Sequence, residues 1–255
     1  TGASSGIGRA LARALARGGH AVALNARRAE PLELVASDVR ALGAEALVVT
    51  GDACEPTVVR GLVDGAIARF GRLDVVVANA GAYLRKPATE TDRRDVEAML
   101  RANFWGAFEL VTAALPHLLA RGAGHVVLIG SFDAKKGMPM DAAYVAAKCA
   151  LAGWAGSLRQ SLHGRGVHVC TVFPGRVDTP MVDDLAVPAI SAKVPPERVA
   201  RAVLRALRRR RPEVVVPWHC RLLQWADVAS PRLGDWLVRR LGLDGRPHRT
   251  DRPAP

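Results

Sequence analysis

Short apolar runs recur along the chain, each followed by a longer stretch with helical spacing. The runs are HAVALNA (20–26), AEALVVTG (44–51), LDVVVANAG (73–81), GHVVLIGS (124–131), GVHVCTVFPG (166–175) and PEVVVP (212–217). Val, Leu, Ile and Ala follow one another almost without polar interruption. Strands buried on both faces read this way, as in parallel sheets covered by helices. The intervening stretches, such as 92–120 and 141–163, are long enough for crossover helices. This alternation predicts a single-domain α/β fold built on a doubly wound parallel sheet. The first strand of such a sheet lies at its centre, and no apolar run precedes Thr1. The sequence is therefore expected to be an N-terminally trimmed fragment, with that first strand missing.

The opening stretch TGASSGIG sets Gly2, Gly6 and Gly8 in a T-G-x-x-x-G-x-G spacing. Glycine turns tightly and lets backbone approach a phosphate with no Cβ in the way. A helix predicted from about Ile7 to Arg17 would present free N–H groups and a positive dipole end to that phosphate. The next strand ends in Asn25-Ala26-Arg27-Arg28, with no acid to bind a ribose 2′-hydroxyl. Arg27 and Arg28 could meet a 2′-phosphate instead, which favours NADP, with NAD possible. Asp52, after Gly51, could reach an adenine amino group or help begin the helix near Glu55.

The stretch AYVAAKC puts Tyr144 and Lys148 four apart on a predicted helix, on one face. A free phenol has a pKa near ~10. A neighbouring ammonium favours its phenolate, so the pair makes a tunable acid/base. Ser131 ends the run VVLIGS, at the sheet edge where open α/β sheets bind ligands. Asn103 lies within the long segment 92–120, and PGRVDTPM (174–181) follows another strand.

TGASSGIG, ANAG (78–81), Asn103, Ser131, Tyr144-x-x-x-Lys148 and PGRVDTP together resemble the classical short-chain dehydrogenases/reductases. The resemblance implies a Rossmann-like fold and hydride transfer between a nicotinamide cofactor and a ketone, aldehyde or secondary alcohol. It implies that Tyr144 exchanges a proton with the substrate oxygen and that Ser131 orients that oxygen. Lys148 would hold the nicotinamide ribose and lower the tyrosine pKa, and Asn103 would support a water linking Lys148 to solvent. Cofactor contacts would come from Gly2, Ser4, Ser5, Gly6, Ile7 and Gly8 in the first loop, with Arg27, Arg28 and Asp52 beyond it. Asn79, Ala80, Gly81, Tyr144, Lys148, Pro174, Gly175, Val177 and Thr179 would complete them. Thr179 could equally cap a helix after Pro180. Ala78 departs from the family, which usually has asparagine there. The alternatives are a catalytically silent nucleotide-binding regulator and a nucleotide-sugar epimerase or dehydratase. The latter is disfavoured by the short stretch after Met181.

Substrate specificity is expected in Ala82–Pro87, Phe132–Asp141 and Met181–Pro195. These carry Tyr83, Leu84, Phe132, Met138, Met140, Met181, Val182 and Leu185, which suggest an apolar pocket. Lys86, Lys135, Lys136 and Arg176 could attract an acidic group or simply be solvated.

Composition refines this picture. The net charge of +12 comes with only five lysines among 36 basic residues. Arginine is spread over the whole length, which reads as compositional bias and not as a nucleic-acid site. The dense patch Arg208–Arg211 is expected to end a helix, where cations suit the dipole. Four scattered cysteines without a Cys-x-x-Cys pair imply reduced thiols, a cytoplasmic setting and no metal site. A small-molecule substrate and a homo-oligomer are the expected partners. The catalytic and cofactor-binding unit is expected to span 1–217. Within 218–241, Leu222, Trp225, Ala226 and Ala229, then Leu233, Trp236, Leu237 and Leu241, recur at helical spacing around Pro231. The two amphipathic helices could cover the pocket or a subunit partner, pack into the core, or lie on an anionic membrane surface. The Gly/Pro/Arg-rich tail 242–255 is expected to be disordered.

Overall fold

The computed structural model describes residues 1–183, 185–243 and 245–247. Each of the six apolar runs forms a parallel strand: β1 (Val22–Ala26), β2 (Ala46–Thr50), β3 (Val75–Ala78), β4 (Gly124–Ile129), β5 (Val167–Pro174) and, in the last run, Glu213–Val216. Helices α1 (Gly6–Arg17), α2 (Ala29–Ala41), α3 (Pro56–Phe70), α4 (Arg93–Leu100), α5 (Gly106–Arg121) and α6 (Ala142–Ser161) alternate with them. A two-residue strand β6 (Leu185–Ala186) and α7 (Pro196–Arg209) precede Glu213–Val216, which becomes β7 in chain order. Then follow α8 (Cys220–Ala229), α9 (Pro231–Arg240) and the short β8 (Arg246–Pro247).

β1 pairs with β2, and β3, β4, β5 and β7 form a second parallel sheet in that order. Between the two runs Thr1 to Ala3. The Thr1 amino group donates to the Val77 carbonyl at 2.9 Å, and the Ala3 N–H donates to the Asn25 carbonyl at 3.0 Å. The uninterrupted apolar character of the strands has a direct cause. Val126, Val127 and Leu128 are consecutive and fully buried. Val126 and Leu128 pack under α3, α5 and α6, while Val127 packs under α1 and α7. Alternate side chains leave opposite faces of a strand, so helices on both sides require an apolar residue at every position.

The helix boundaries follow local chemistry. α3 and α7 begin with proline, which has no N–H to leave unpaired in the first turn. α3 and α5 stop at Gly71 and Gly122, both left-handed. The arginine run closes α7 as expected, with Arg210 at φ 49° just beyond its end. The tail departs from expectation at its start: Arg246–Pro247 pairs antiparallel with Leu185–Ala186 and is ordered by that ladder. Its remainder, 248–255, lies outside the described residues.

Gly8 lies where α1 leaves the opening loop. A Cβ there would sit 2.2 Å from the Gly2 carbonyl oxygen and 2.8 Å from Asn79 Nδ2. Gly61, on the exposed side of α3, would meet nothing within 4 Å. Gly8→Ala is expected to cost about 1–3 kcal/mol by overpacking. Gly61→Ala is expected to gain about 0.5–1 kcal/mol through the unfolded chain. Thermal unfolding of both variants checks the opposite signs.

Candidate active site

The parallel strands all end at one edge, and there a cleft of ≈ 630 Å³ opens. The glycine loop forms one wall. Gly2 and Gly6 take φ of 65° and 52°. A Cβ on Gly6 would press to 2.9 Å against the Thr179 methyl. Asn79 ties the loop down by donating through Nδ2 to the carbonyls of Thr1 and Gly2, at 3.1 and 3.2 Å. No side chain caps the N-terminus of α1, and its first turn carries no acid. Its free N–H groups and dipole remain available to an anion.

Every catalytic and cofactor-contact residue expected from sequence lines this cleft except Gly8. Of the expected pocket residues, Tyr83, Met181, Val182 and Leu185 line it, whereas Leu84, Phe132, Met138 and Met140 do not. Gly8 is buried behind the loop against Gly2, so its contribution is close packing and not cofactor contact. Thr179 does not cap a helix: its Oγ1 donates to the Val177 carbonyl at 3.3 Å, and the turn Pro180–Val182 has no side-chain cap. Arg27 and Arg28 are exposed at the cleft rim after β1. Asp52 accepts from the Cys54 N–H at 3.0 Å and from Arg101 at 2.9 Å. The Cys54 backbone bond is the main cause holding its carboxyl below the usual range. Arg101, not foreseen from sequence, also binds Glu55 at 2.7 Å.

Asn103 lies on a five-residue π-helical turn, Arg101–Trp105, between α4 and α5. Such widened turns displace a side chain from the regular helical face. Its Nδ2 donates to the carbonyls of Ala82 and Met99, at 2.9 and 3.1 Å. Its Oδ1 is buried and has no partner among the described residues. A Cβ on Gly81 would stand 2.5 Å from that oxygen and 3.7 Å from Lys148 Nζ, so only glycine keeps the space between them open.

Tyr144 and Lys148 occupy one face of α6, both buried. Lys148 Nζ donates to the Ile129 carbonyl at 3.0 Å and stands 5.6 Å from the centre of the Tyr144 ring. Burial lowers the Lys148 pKa to about 8, opposed by the charge of Asp133. Ser131, two residues past Ile129, lines the same cleft as Tyr144 and lowers its pKa in part. The Ser131 hydroxyl donates to Asp133 Oδ2 at 3.0 Å and accepts from the Asp133 N–H at 3.2 Å. The expectation that Lys148 lowers the tyrosine pKa does not hold here. Burial, then the negative charge of Asp133, push the Tyr144 phenol well above its ordinary value, and Ser131 only partly offsets them. Edge contact with the Tyr83 ring, centroids 5.1 Å apart, helps seal the hydroxyl from water.

The cations expected near the substrate are already engaged. Lys86 binds Asp95, Lys135 binds Glu213, and Lys136 binds both Asp227 and Asp235. Arg176 lines the cleft, yet it donates to Ser191 Oγ and to the Leu243 carbonyl. Besides Arg101, the charged groups that sequence reasoning passed over are acids. Asp141 is buried and accepts from the Tyr83 hydroxyl at 2.7 Å, and Asp133 is raised to about 6, first by burial and then by Asp141. The one sequence signal for Asp133 was its place two residues after a strand-end serine.

Comparison with known proteins agrees with this architecture. The chain matches the short chain dehydrogenase family over residues 1–188. It is 33% identical to the ketoacyl reductase HetN of a Nostoc species, over 95% of this chain and 88% of that protein. Among solved structures, a short chain dehydrogenase from Burkholderia cenocepacia in complex with NADP superposes with TM-score 0.76 at 31% identity, covering 85% of this chain and 94% of that one. A short chain dehydrogenase from Mycobacterium paratuberculosis bound to NAD gives 0.78 at 25% identity, covering 85% and 94%. The chain belongs to the short-chain dehydrogenase family. It is an oxidoreductase of CH–OH or C=O groups that uses a nicotinamide dinucleotide. The residues fit such a cofactor: the glycine loop leaves a cradle that a Cβ would fill, and a buried amide oxygen awaits a donor.

The elevated Asp133 pKa has a consequence for stability. The folded chain keeps this proton up to about pH 6, whereas an ordinary carboxyl releases it near 3.8. Between these values the folded state binds more protons than the unfolded one, so stability falls as pH rises, and above pH 6 the penalty is complete. Asp133→Asn is expected to stabilise the protein at pH 8 by on the order of 2–3 kcal/mol and to lose that advantage by pH 4. Melting temperatures of parent and variant at the two pH values check this.

Proposed function

We propose that this protein is an NADP-preferring reductase of uncharged, largely apolar ketones or aldehydes. The observation that carries the reading is the convergence of Ser131, Tyr144 and Lys148 in a buried site that keeps the phenol protonated. A phenol that stays protonated at neutral pH is in the form that donates to a carbonyl oxygen. The bound nicotinamide supplies the hydride. Tyr144 gives its hydroxyl proton to the carbonyl oxygen. Ser131 turns its hydroxyl from Asp133 Oδ2 toward that same oxygen and holds it beside Tyr144. Lys148 spends one N–H on the Ile129 carbonyl and has others to offer the ribose hydroxyls. Asn103 Oδ1 accepts from a water next to Lys148, through which the proton on Tyr144 is replaced.

The substrate class follows from the charges near the cleft. Lys86, Lys135 and Lys136 are paired with acids away from the cleft. Asp133 lies on its wall, and Arg176 is held by Ser191 and the Leu243 carbonyl. Together these favour a neutral substrate over an acidic one. Met181, Val182 and Leu185 supply apolar surface. The NADP preference rests on Arg27 and Arg28 at the end of β1, where no acid stands to bind a free 2′-hydroxyl.

Tyr144→Phe is expected to abolish carbonyl reduction while leaving NADPH binding nearly intact. Lys148→Ala should damage both. Absorbance assays and fluorescence titration read the two effects, and parent-rate turnover by the phenylalanine variant would overturn the assignment.

A hydrogen bond to a charged group contributes about 1.5–3 kcal/mol. Arg27→Ala is therefore expected to weaken NADPH roughly ten- to a hundredfold and to change NADH little. Tighter binding of NADH than NADPH by the unaltered protein would refute the preference.

A further inference from the structure

α8 and α9 form an antithetical pair of faces. On the inner side, Leu223 packs with Phe132, Phe173 and Val215, and Val238 with Met138. The acids of these two helices, Asp227 and Asp235, both accept from Lys136 Nζ at 2.6 Å. Gly234 lets the helices close around that cation, since a Cβ there would stand 2.2 Å from Asp227 Oδ1. The outer side is different. Trp218, Trp225 and Trp236 are 67%, 62% and 54% exposed, with Leu222, Val228 and Leu233 exposed among them. None of these helix residues lines the cleft, so the pair does not cover it.

Tryptophans without a cover need an occupant, and charge selects among the candidates. The charged residues of the two helices other than the paired acids are Arg221, Arg232, Arg239 and Arg240. Lys136 balances one of the two acids, and the four arginines of the helices outweigh the other, so the pair presents a net positive charge beside its exposed apolar rings. A second copy docked face to face would set this net positive charge against itself. An anionic lipid surface meets both needs: its headgroups pair the guanidinium groups, and indole rings settle at the boundary between headgroups and acyl chains. Each helix has ten residues, about 15 Å, so the pair can lie in such a surface but not cross it. No described helix is long and apolar enough to span a membrane. The patch is also continuous with the substrate side of the molecule. The chain leaving α9 pairs as β8 with Leu185–Ala186, and Leu185 lines the cleft.

We propose that α8 and α9 dock this protein onto the surface of an anionic phospholipid bilayer, tryptophans at the acyl boundary and arginines on the headgroups. The docking stands apart from the reading of the catalytic site, and its test needs no turnover.

The test uses the whole chain with vesicles of pure phosphatidylcholine and of 70:30 phosphatidylcholine:phosphatidylglycerol, followed by co-sedimentation and tryptophan emission. Binding with a blue shift is expected on the anionic vesicles only, weakened severalfold between 0.1 and 0.5 M salt. Trp225→Ser with Trp236→Ser should reduce binding at least tenfold at an unchanged melting temperature. Arg232→Gln with Arg239→Gln should reduce it roughly fivefold per arginine. The arginine pair keeps the test informative should the tryptophan pair fail to fold. Absence of binding, equal binding to both vesicles, or binding that survives both pairs of substitutions would overturn the proposal. So would a dimer in solution that the tryptophan pair dissolves, since a second copy would then be the occupant.

Discussion

A single buried hydrogen bond, from Lys148 Nζ to the Ile129 carbonyl, registers α6 against the end of β4. The end of β4 supplies a backbone oxygen, and the lysine supplies the donor. Once that bond is made, Tyr144 lies one helical turn before the lysine and Ser131 two residues beyond the carbonyl, and both line the same cleft. A buried cation without such a partner would be costly. The bond therefore stabilises the helix placement and the proton-handling geometry together. The partly lowered Lys148 pKa records the desolvation that remains.

The glycine loop solves a different problem with the same economy of atoms. Gly2, Gly6 and Gly8 look alike in sequence yet serve different ends. Gly2 and Gly6 adopt left-handed backbone and leave the cleft wall bare, while Gly8 admits the Gly2 carbonyl into the first turn of α1. Asn79 at the end of β3 holds the loop through two carbonyls. The neighbouring Ala78 is simply a buried core residue, and the loop retains its anchor without an asparagine there.

Electrostatics separates the substrate side from the cofactor rim. Arg27 and Arg28 stand exposed at the rim, whereas the acids Asp133 and Asp141 are in the cleft wall near the hydroxyls. Asp133 is the more consequential of the two. It takes the Ser131 hydroxyl as donor and raises the Tyr144 pKa, so the protonation of one carboxyl influences both hydroxyls. A similar sorting of charge appears at α8 and α9, where Lys136 holds Asp227 and Asp235 and the tryptophans stand outside.

The sequence by itself determined the strands, their parallel arrangement and most of the site. Doubly buried strands need apolar residues at every position, and the chemistry of Tyr144, Lys148, Ser131 and the glycine loop requires particular residue types at fixed separations. Those signals are local or nearly so. Only the tertiary structure decided the rest, because it depends on which distant groups share a desolvated volume. No spacing announces that Asp133 meets Asp141, that Lys136 pairs with Asp227 and Asp235 ninety residues and more away, or that Arg101 reaches Asp52. Amphipathic spacing marked α8 and α9 as two-faced helices, but it could not say which face the core would take. That depended on Phe132, Phe173 and Met138 presenting an apolar surface of their own, which left the tryptophans outward.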